Sequence, residues 1–324
     1  MSSICRRPMR VARKKAPIKH EGIQAATARR YRQSLTRFFE FIAMHGRSLP
    51  QSLEQLDVEV GEYINALYQD DLPQYWGIDL LSALKRFYPR CRRSLDTGHL
   101  YIKNWTRVTK RRRAIPATRD LAMAMAVAAL FEGKVRLAFS ILLSFVGLLR
   151  VGEIVGATRR QFGIFGGESL LTLALPESKG AKRKGMAEQV TVYDPLVLKL
   201  AGCLLNGLDP NEKVLGLSYG VFAHEVSRLG RMFGVSSARF TPYCLRRGGA
   251  TWHFTKFGSY DATQHLGRWA QSKTAKLYID QATAETTELQ LPAWGRRRIS
   301  VAVKGIQCVV NEACGRTQVR VNRF

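Results

Sequence analysis

Residues 241–279 read TPYCLRRGGATWHFTKFGSYDATQHLGRWAQSKTAKLYI, and the fold is decided there. Thr241 is a helix-capping residue type and Pro242 suits a first helical position, so a helix is predicted to begin here. Its start presents free main-chain N–H groups and a partial positive charge. Tyr243 and Arg246 lie one turn apart on one face of it. A helix N-terminus with an arginine beside it seats a phosphate; the same residues also describe a buried helix whose arginines pair with acids. Gly248 and Gly249 permit close packing or the close approach of another backbone. Further along, Trp269 and Tyr278 taken singly read as core and packing residues.

Upstream, FVGLLRVGE at 145–153 places Arg150 at the end of a strongly apolar helix with Glu153 three residues later. That spacing lets the two share a helix face, either to orient the guanidinium or as a surface ion pair. The apolar run from Val135 to Leu149 contains Arg136 and is too short to span a bilayer, so it reads as a buried core helix. Thr118 caps a preceding helix through Leu121, Met125, Ala128 and Ala129. Leu170 to Leu175 and Gln189 to Tyr193 are β-prone, and the polar turn from Ser178 to Gly185 joins them as a hairpin. Helices resume near Pro195, Gly220 and Pro242. Residues 291–324 carry Arg296, Arg297 and Arg298 and then Val-rich stretches of no assigned structure.

Toward the N-terminus, three helical stripes recur: Ala28, Tyr31, Leu35, Phe38, Ile42; then Leu56, Val60, Tyr63, Ile64, Leu67; then Leu80, Leu81, Leu84, Phe87. Ser48 to Leu84 holds seven acids and no Lys or Arg, which predicts a face kept away from phosphates, toward solvent or protein. The charge then reverses through Lys103, Arg107, Lys110, Arg111, Arg112 and Arg113, ahead of Pro116. That basic stretch is either a solvated tether or a linker laid along a duplex, adding affinity without sequence choice.

The whole chain has 324 residues, 46% hydrophobic, enough for two domains with a real core. Lys and Arg number 51 against 25 Asp and Glu, a net charge of +26. Such an excess calls for a polyanionic partner, nucleic acid first, with a ribosomal or histone-like role or an anionic membrane surface behind it. The six cysteines form no CxxC pair and suggest neither a zinc site nor a secreted disulfide framework, so a reducing compartment is expected. No secretory signal is read, and the six histidines make no metal spacing. Residues 1–20 hold seven Lys or Arg and no acid: a nuclear signal, a DNA-grasping arm, a transit peptide or a solvated tail.

Taken together, Arg150, Lys179, Tyr243-x-x-Arg246, Trp269 and Tyr278 occur in one order, with Trp269 23 positions after Arg246 and nine before Tyr278. This set resembles the tyrosine recombinase (phage integrase) family, mobile-element type. The resemblance covers the second domain and extends loosely to the first. It implies a mainly α fold with a small antiparallel β-sheet, arranged as a two-domain DNA clamp. Its parts are a basic tail at 1–20, a helical core-binding domain at 21–108, a basic linker at 109–117, a catalytic domain at 118–290 and a C-terminal tail at 291–324.

The implied activity is cleavage and rejoining of DNA strands without metal, ATP or cofactor. Arg150 and Arg246 are the implied clamp on the phosphate oxygens, with Glu153 in support. Lys179 is the implied proton donor to the leaving 5′ oxygen, with Lys182 and Lys184 as rivals. Trp269 donates its indole N–H and packs the tyrosine's helix, and Tyr278 is the nucleophile. Lys103, Arg107 and Lys110 to Arg113 are expected on DNA. The implied partners are double-stranded DNA and further copies of the chain, a tetramer on DNA and a monomer free in solution, in the nucleus or another DNA-containing compartment, with no membrane. The tail after Tyr278 is a candidate to dock on a neighbouring protomer.

Three departures from the family pattern stand out. Tyr243 replaces the usual His, Arg247 replaces a common second His, and the first motif carries an extra Leu. Two other outcomes of the same ancestry are therefore carried: a catalytically impaired, mobile-element-derived DNA-binding protein, and relaxation of supercoils in the manner of a type IB topoisomerase. Cys244, beside the site, is either a redox-sensitive thiol or a plain buried one.

Overall fold

The computed structural model describes residues 23–109, 114–167, 169–176, 178, 181, 186–235, 240–279 and 290–321. Lys110 to Arg113, Lys179, Lys182 and Lys184 lie outside them. The chain forms two compact units, Met1–Arg111 and Arg112–Phe324.

The first unit is helical: α1 (Ala25–Met44), α2 (Leu53–Gln69), α3 (Gln74–Phe87) and α4 (Asp96–Val108). The apolar stripes read from the sequence meet as one core, with Phe38, Val60, Ile64, Leu80 and Leu84 buried. The acidic segment is not wholly given over to solvent. Asp79 is buried and takes a forked pair of hydrogen bonds from Arg30 at 2.6 and 3.0 Å. Asp57 accepts from the Thr97 and Gly98 amides at 3.0 and 3.2 Å, satisfying donors at the start of α4. Helix starts favour carboxylates and a buried carboxylate needs a partner, so these two acids are consumed inside the unit.

The second unit is built round α5 (Arg119–Phe131), whose residues Leu121 to Leu130 are all buried. Thr118 caps it by accepting from the Leu121 amide at 3.2 Å. Against α5 pack α6 (Val135–Val146) and the C-terminal helix, which spans Ala293–Val321 and sends Ile299, Ile306 and Val310 into the same core. A three-stranded antiparallel sheet follows the short α7 (Val151–Gly156): β1 (Phe162–Phe165), β2 (Leu170–Leu175) and β3 (Glu188–Val192), in that order. Leu171 pairs with Val192 and Leu173 with Val190, so the apolar side of β2 faces the core. The fold is thus mainly helical with a small antiparallel sheet, as expected; β1 is the added strand.

Among the described residues the remaining α-helices are α8 (Pro195–Leu205), α9 (Tyr219–Met232), α10 (Tyr243–Phe257), α11 (Tyr260–Gly267), α12 (Ser272–Lys276) and the C-terminal α13. Three local expectations change. Arg150 does not end α6: the helix stops at Val146 and Arg150 is the N-cap of α7. Thr241 does not cap α10; Pro242 occupies that place in α-helical conformation, and the Cys244 and Leu245 amides bond to the Thr241 and Pro242 carbonyls. The first turn therefore holds fewer free donors than the capping reading requires. Finally, Cys203 of α8 and Cys314 of α13 are paired as a disulfide, 111 residues apart, a pairing that local spacing does not signal. Among the described residues no helix is long and apolar enough to cross a membrane.

Candidate active site

Four segments of the second unit converge. The first is the turn between α6 and α7. Leu148, in the Gly-Leu-Leu-Arg of the first motif, sits there in left-handed conformation (φ +46°), as the chain reverses toward Arg150. Arg150 then begins α7, and Glu153 reaches back to it: Oε2 accepts from the Arg150 amide at 2.8 Å and Oε1 from Arg150 Nη1 at 2.6 Å. The pair expected on a helix face is therefore a helix-start contact, which fixes main chain and guanidinium together.

The second segment is α10, held by backbone contact. A Cβ on Gly248 would collide with the Ala117 carbonyl, and one on Gly249 with the Phe145 carbonyl. Both glycines serve the close approach that the sequence suggests. The Ala117 amide also bonds to the Cys244 carbonyl at 3.1 Å, and Arg247 donates to the Ala114 carbonyl. Arg247 is thus buried against residues 114–117. Its neighbour Arg246 points the other way, fully buried, with Nη1 donating to the Leu148 carbonyl and Nη2 to Gly267 O at 2.7 Å. Cys244 is buried and its thiol is pushed well up by that burial, the condition of an unreactive core cysteine.

The third segment, Leu266–Tyr278, carries the aromatic pair. Trp269 and Tyr278 stack tilted at 4.5 Å between ring centroids, and Tyr243 leans on Tyr278 at 5.4 Å. The Arg246 guanidinium lies 4.7 Å from the Trp269 ring and 5.3 Å from that of Tyr278. Tyr278 itself follows α12, its amide bonded to Ala275 O at 2.9 Å. The fourth segment is the base of the β2–β3 hairpin. Ser178, next in chain to Lys179, donates to Glu188 Oε2 at 2.7 Å, and that oxygen lies 3.9 Å from Arg150 Nη1.

Arg150, Tyr243, Arg246, Trp269 and Tyr278 are therefore brought together, with Glu153 beside them. Lys103 and Arg107 are exposed one turn apart on α4, in the first unit. Arg268 and Glu188 belong to the cluster and are absent from the sequence-derived set. Arg268 Nη2 pairs with Glu153 Oε2 at 2.7 Å and its Nε lies 3.8 Å from Glu188 Oε2. The only local signal for Arg268 is its place between Gly267 and Trp269.

The electrostatics favour an anion. Three guanidinium groups, Arg150, Arg246 and Arg268, face two carboxylates. Burial, then the charges of Arg150 and Arg268, push Arg246 down to about 10. It remains a cation at neutral pH, and a bound anion raises it again. Among the described residues, the buried Arg246 Nε and Trp269 Nε1 have no partner of hydrogen-bond geometry. Burial raises the Tyr278 phenol, but Tyr243, Arg246 and Trp269 together outweigh it, and the net direction is down from 10. Tyr243 moves the other way, raised by burial and by Tyr278. One phenol is thus held protonated as a donor while the other is eased toward phenolate, beside cations suited to phosphate oxygens.

No protein-family model matches the chain, and no curated protein matches it. Solved structures do. Over 84% of this chain and 96% of the other, the fold superposes on the Tn1549 transposon integrase in complex with transposon right end DNA (13% identity, TM-score 0.59). A lambda integrase dimer bound to a COC′ core site matches over 82% and 74% at 19% identity (TM-score 0.54). The XerH site-specific recombinase bound to palindromic difH substrate matches over 80% and 78% at 16% identity (TM-score 0.53). That likeness is one of fold: this chain folds as these solved integrases and recombinases do.

Proposed function

We propose that this protein is a site-specific DNA recombinase of the integrase kind. Tyr278 Oη, its proton released to solvent, attacks the phosphorus of a phosphodiester, the bond from phosphorus to the 5′ oxygen breaks, and the 3′ phosphate remains as an ester of the tyrosine. The 5′ oxygen leaves as a hydroxyl with a proton from a hairpin lysine, Lys179 first and Lys182 or Lys184 as rivals. Rejoining reverses the step with another strand's 5′ hydroxyl, so the phosphoester bond is conserved and no ATP is needed. Arg150 and Arg246 bear the charge on the non-bridging oxygens, Tyr243 adds a hydrogen bond where the family has His, and Trp269 backs the tyrosine.

The observation that carries this reading is Arg246: a fully buried guanidinium set beside the paired rings of Trp269 and Tyr278. Its terminal nitrogens hold the Leu148 and Gly267 carbonyls, and a fully buried guanidinium with no carboxylate partner among the described residues suits a phosphate as its counter-ion. The net charge of +26 fits a double-stranded DNA partner. Lys103, Arg107 and Lys110 to Arg113 are assigned to phosphate contacts, with assembly as a tetramer on DNA, from free monomers, in a DNA-containing compartment.

The test uses duplexes enriched by binding from a random pool, nicked so that cleavage releases a short strand and traps the adduct. A protein–DNA adduct that survives denaturation and is lost in Tyr278→Phe is expected. Tight binding with no adduct would instead support the impaired DNA-binding protein, for which the Tyr243 replacement speaks. Relaxation of one supercoiled circle without exchange between two marked duplexes would support the topoisomerase outcome.

A further inference from the structure

We infer that Arg268 is the positioning residue of this site, the tie that holds the tyrosine's segment in register with the Arg150 turn. Its backbone is in left-handed conformation (φ 55°, ψ 40°), at the end of α11 and directly before Trp269. Side chains with a Cβ rarely sit there unless the surroundings demand it. The surroundings are four acceptors. Nη1 donates to Leu266 O at 3.1 Å and Gly147 O at 3.2 Å, and Nη2 to Glu153 Oε2 at 2.7 Å and Leu148 O at 3.3 Å.

Leu148 is the counterpart of this arrangement. Its own left-handed conformation accompanies a carbonyl that accepts from both Arg246 and Arg268. Glu153 is likewise shared, taking the Arg150 amide and guanidinium on one side and Arg268 on the other. A continuous chain therefore runs Arg246, Leu148 carbonyl, Arg268, Glu153, Arg150. The two proposed clamp arginines are linked through a third, carried by the segment that bears Trp269 and Tyr278. Nε, the donor left over, faces Glu188 at 3.8 Å, the carboxylate that also holds Ser178 at the base of the lysine hairpin.

This assignment separates Arg268 from the clamp. Arg268 is ion-paired with Glu153 and its terminal nitrogens hold acceptors on three segments, whereas Arg246 has no carboxylate partner among the described residues and lies 5.3 Å from the Tyr278 ring. Arg150 shares Glu153 but is 29% exposed against 6% for Arg268, so Arg150 and Arg246 are the two assigned to face the phosphate. A lysine cannot replace it, since one ammonium does not span acceptors on three segments.

The inference rests on the proposed strand cleavage for its kinetic consequence, and has a structural consequence that does not. Hydrogen exchange would be followed by peptide mass spectrometry on wild type, Arg268→Ala, Arg268→Lys and Glu153→Gln. Faster exchange in both 145–153 and 266–279, with α2 and α3 unchanged, is expected for each variant. Unchanged exchange in either segment overturns the tie. Single-turnover cleavage of the nicked duplex is expected to fall about 100-fold in Arg268→Ala, the scale of a misplaced reacting group, with DNA affinity nearly kept. Arg268→Lys is expected to stay well below wild type, and it serves as the variant where Ala does not fold. An uncharged methylphosphonate at the scissile position needs one less cation, so it would rescue a missing clamp arginine; rescue of Arg268→Ala would overturn the positioning role. A wild type that yields no Tyr278 adduct defeats the proposed function, and the exchange result still decides Arg268.

Discussion

Arg246 and Tyr278, 32 positions apart in the chain, meet with guanidinium carbon 5.3 Å from the phenol ring, and Arg246 is the largest fully buried side chain among the described residues. A buried cation against a phenol lowers the cost of the phenolate and supplies charge where a phosphate would gather it.

Replacing Arg246 tests that pairing. Arg246→Ala and Arg246→Lys are each expected to slow strand cleavage by about 100-fold or more, because a lysine lacks the planar fork that reaches two oxygens. Single-turnover adduct formation measures it, and a lysine variant near wild-type rate would contradict the clamp role.

The two site tyrosines should titrate apart. Tyr278 lies below the ordinary 10 and Tyr243 above it. Ultraviolet difference titration is expected to show one early phenolate that disappears in Tyr278→Phe. The phenolate fraction grows as pH rises toward that lowered value, so the cleavage rate should climb with pH from neutrality. A rate that falls over the same range would contradict the assignment.

The backbone contacts behind α10 should be intolerant of a methyl group. Gly248→Ala and Gly249→Ala place a Cβ onto the carbonyls of Ala117 and Phe145, which are main chain and cannot step aside. A loss of about 3 kcal/mol in unfolding free energy is expected for each, measured by chemical denaturation, against little change for Gly152→Ala, where nothing lies within 4 Å.

An acid limb of stability is expected from Glu225. Arg228, at 2.9 Å, and Lys134, also at 2.9 Å, hold its carboxyl down to about 2, against an ordinary 4.5. A depressed carboxylate stabilises the fold fully above about pH 4.5, and the benefit is lost as pH falls toward 2. Denaturation midpoints across that window should converge for wild type and Glu225→Gln at the acid end and diverge above it.

Much of the site was legible because its chemistry depends on residue types in a fixed order. Arg150, Arg246, Trp269 and Tyr278 each look ordinary alone, and their sequence order identified them as one cluster. The core helices were legible for a simpler reason: α5 and α6 carry apolar residues at nearly every buried position, and Thr118 caps where a cap is needed. What escaped depends on long-range pairing. Arg268 finds Glu153 across 115 residues and Cys203 finds Cys314 across 111, and neither leaves a periodic trace. The strand Phe162–Phe165 is four residues long with a glycine inside, too short to alternate visibly. At Thr241, a good capping type lost its place because the chain enters α10 already helical at Pro242.

The most direct measurement is the chemical identity of the DNA attachment. The trapped adduct would be digested with nuclease and protease and its peptides sequenced by mass spectrometry. A nucleotide joined through its 3′ phosphate to Tyr278 is the expected result. Attachment at any other residue, Tyr243 included, or a DNA end left with a free phosphate, would contradict the account.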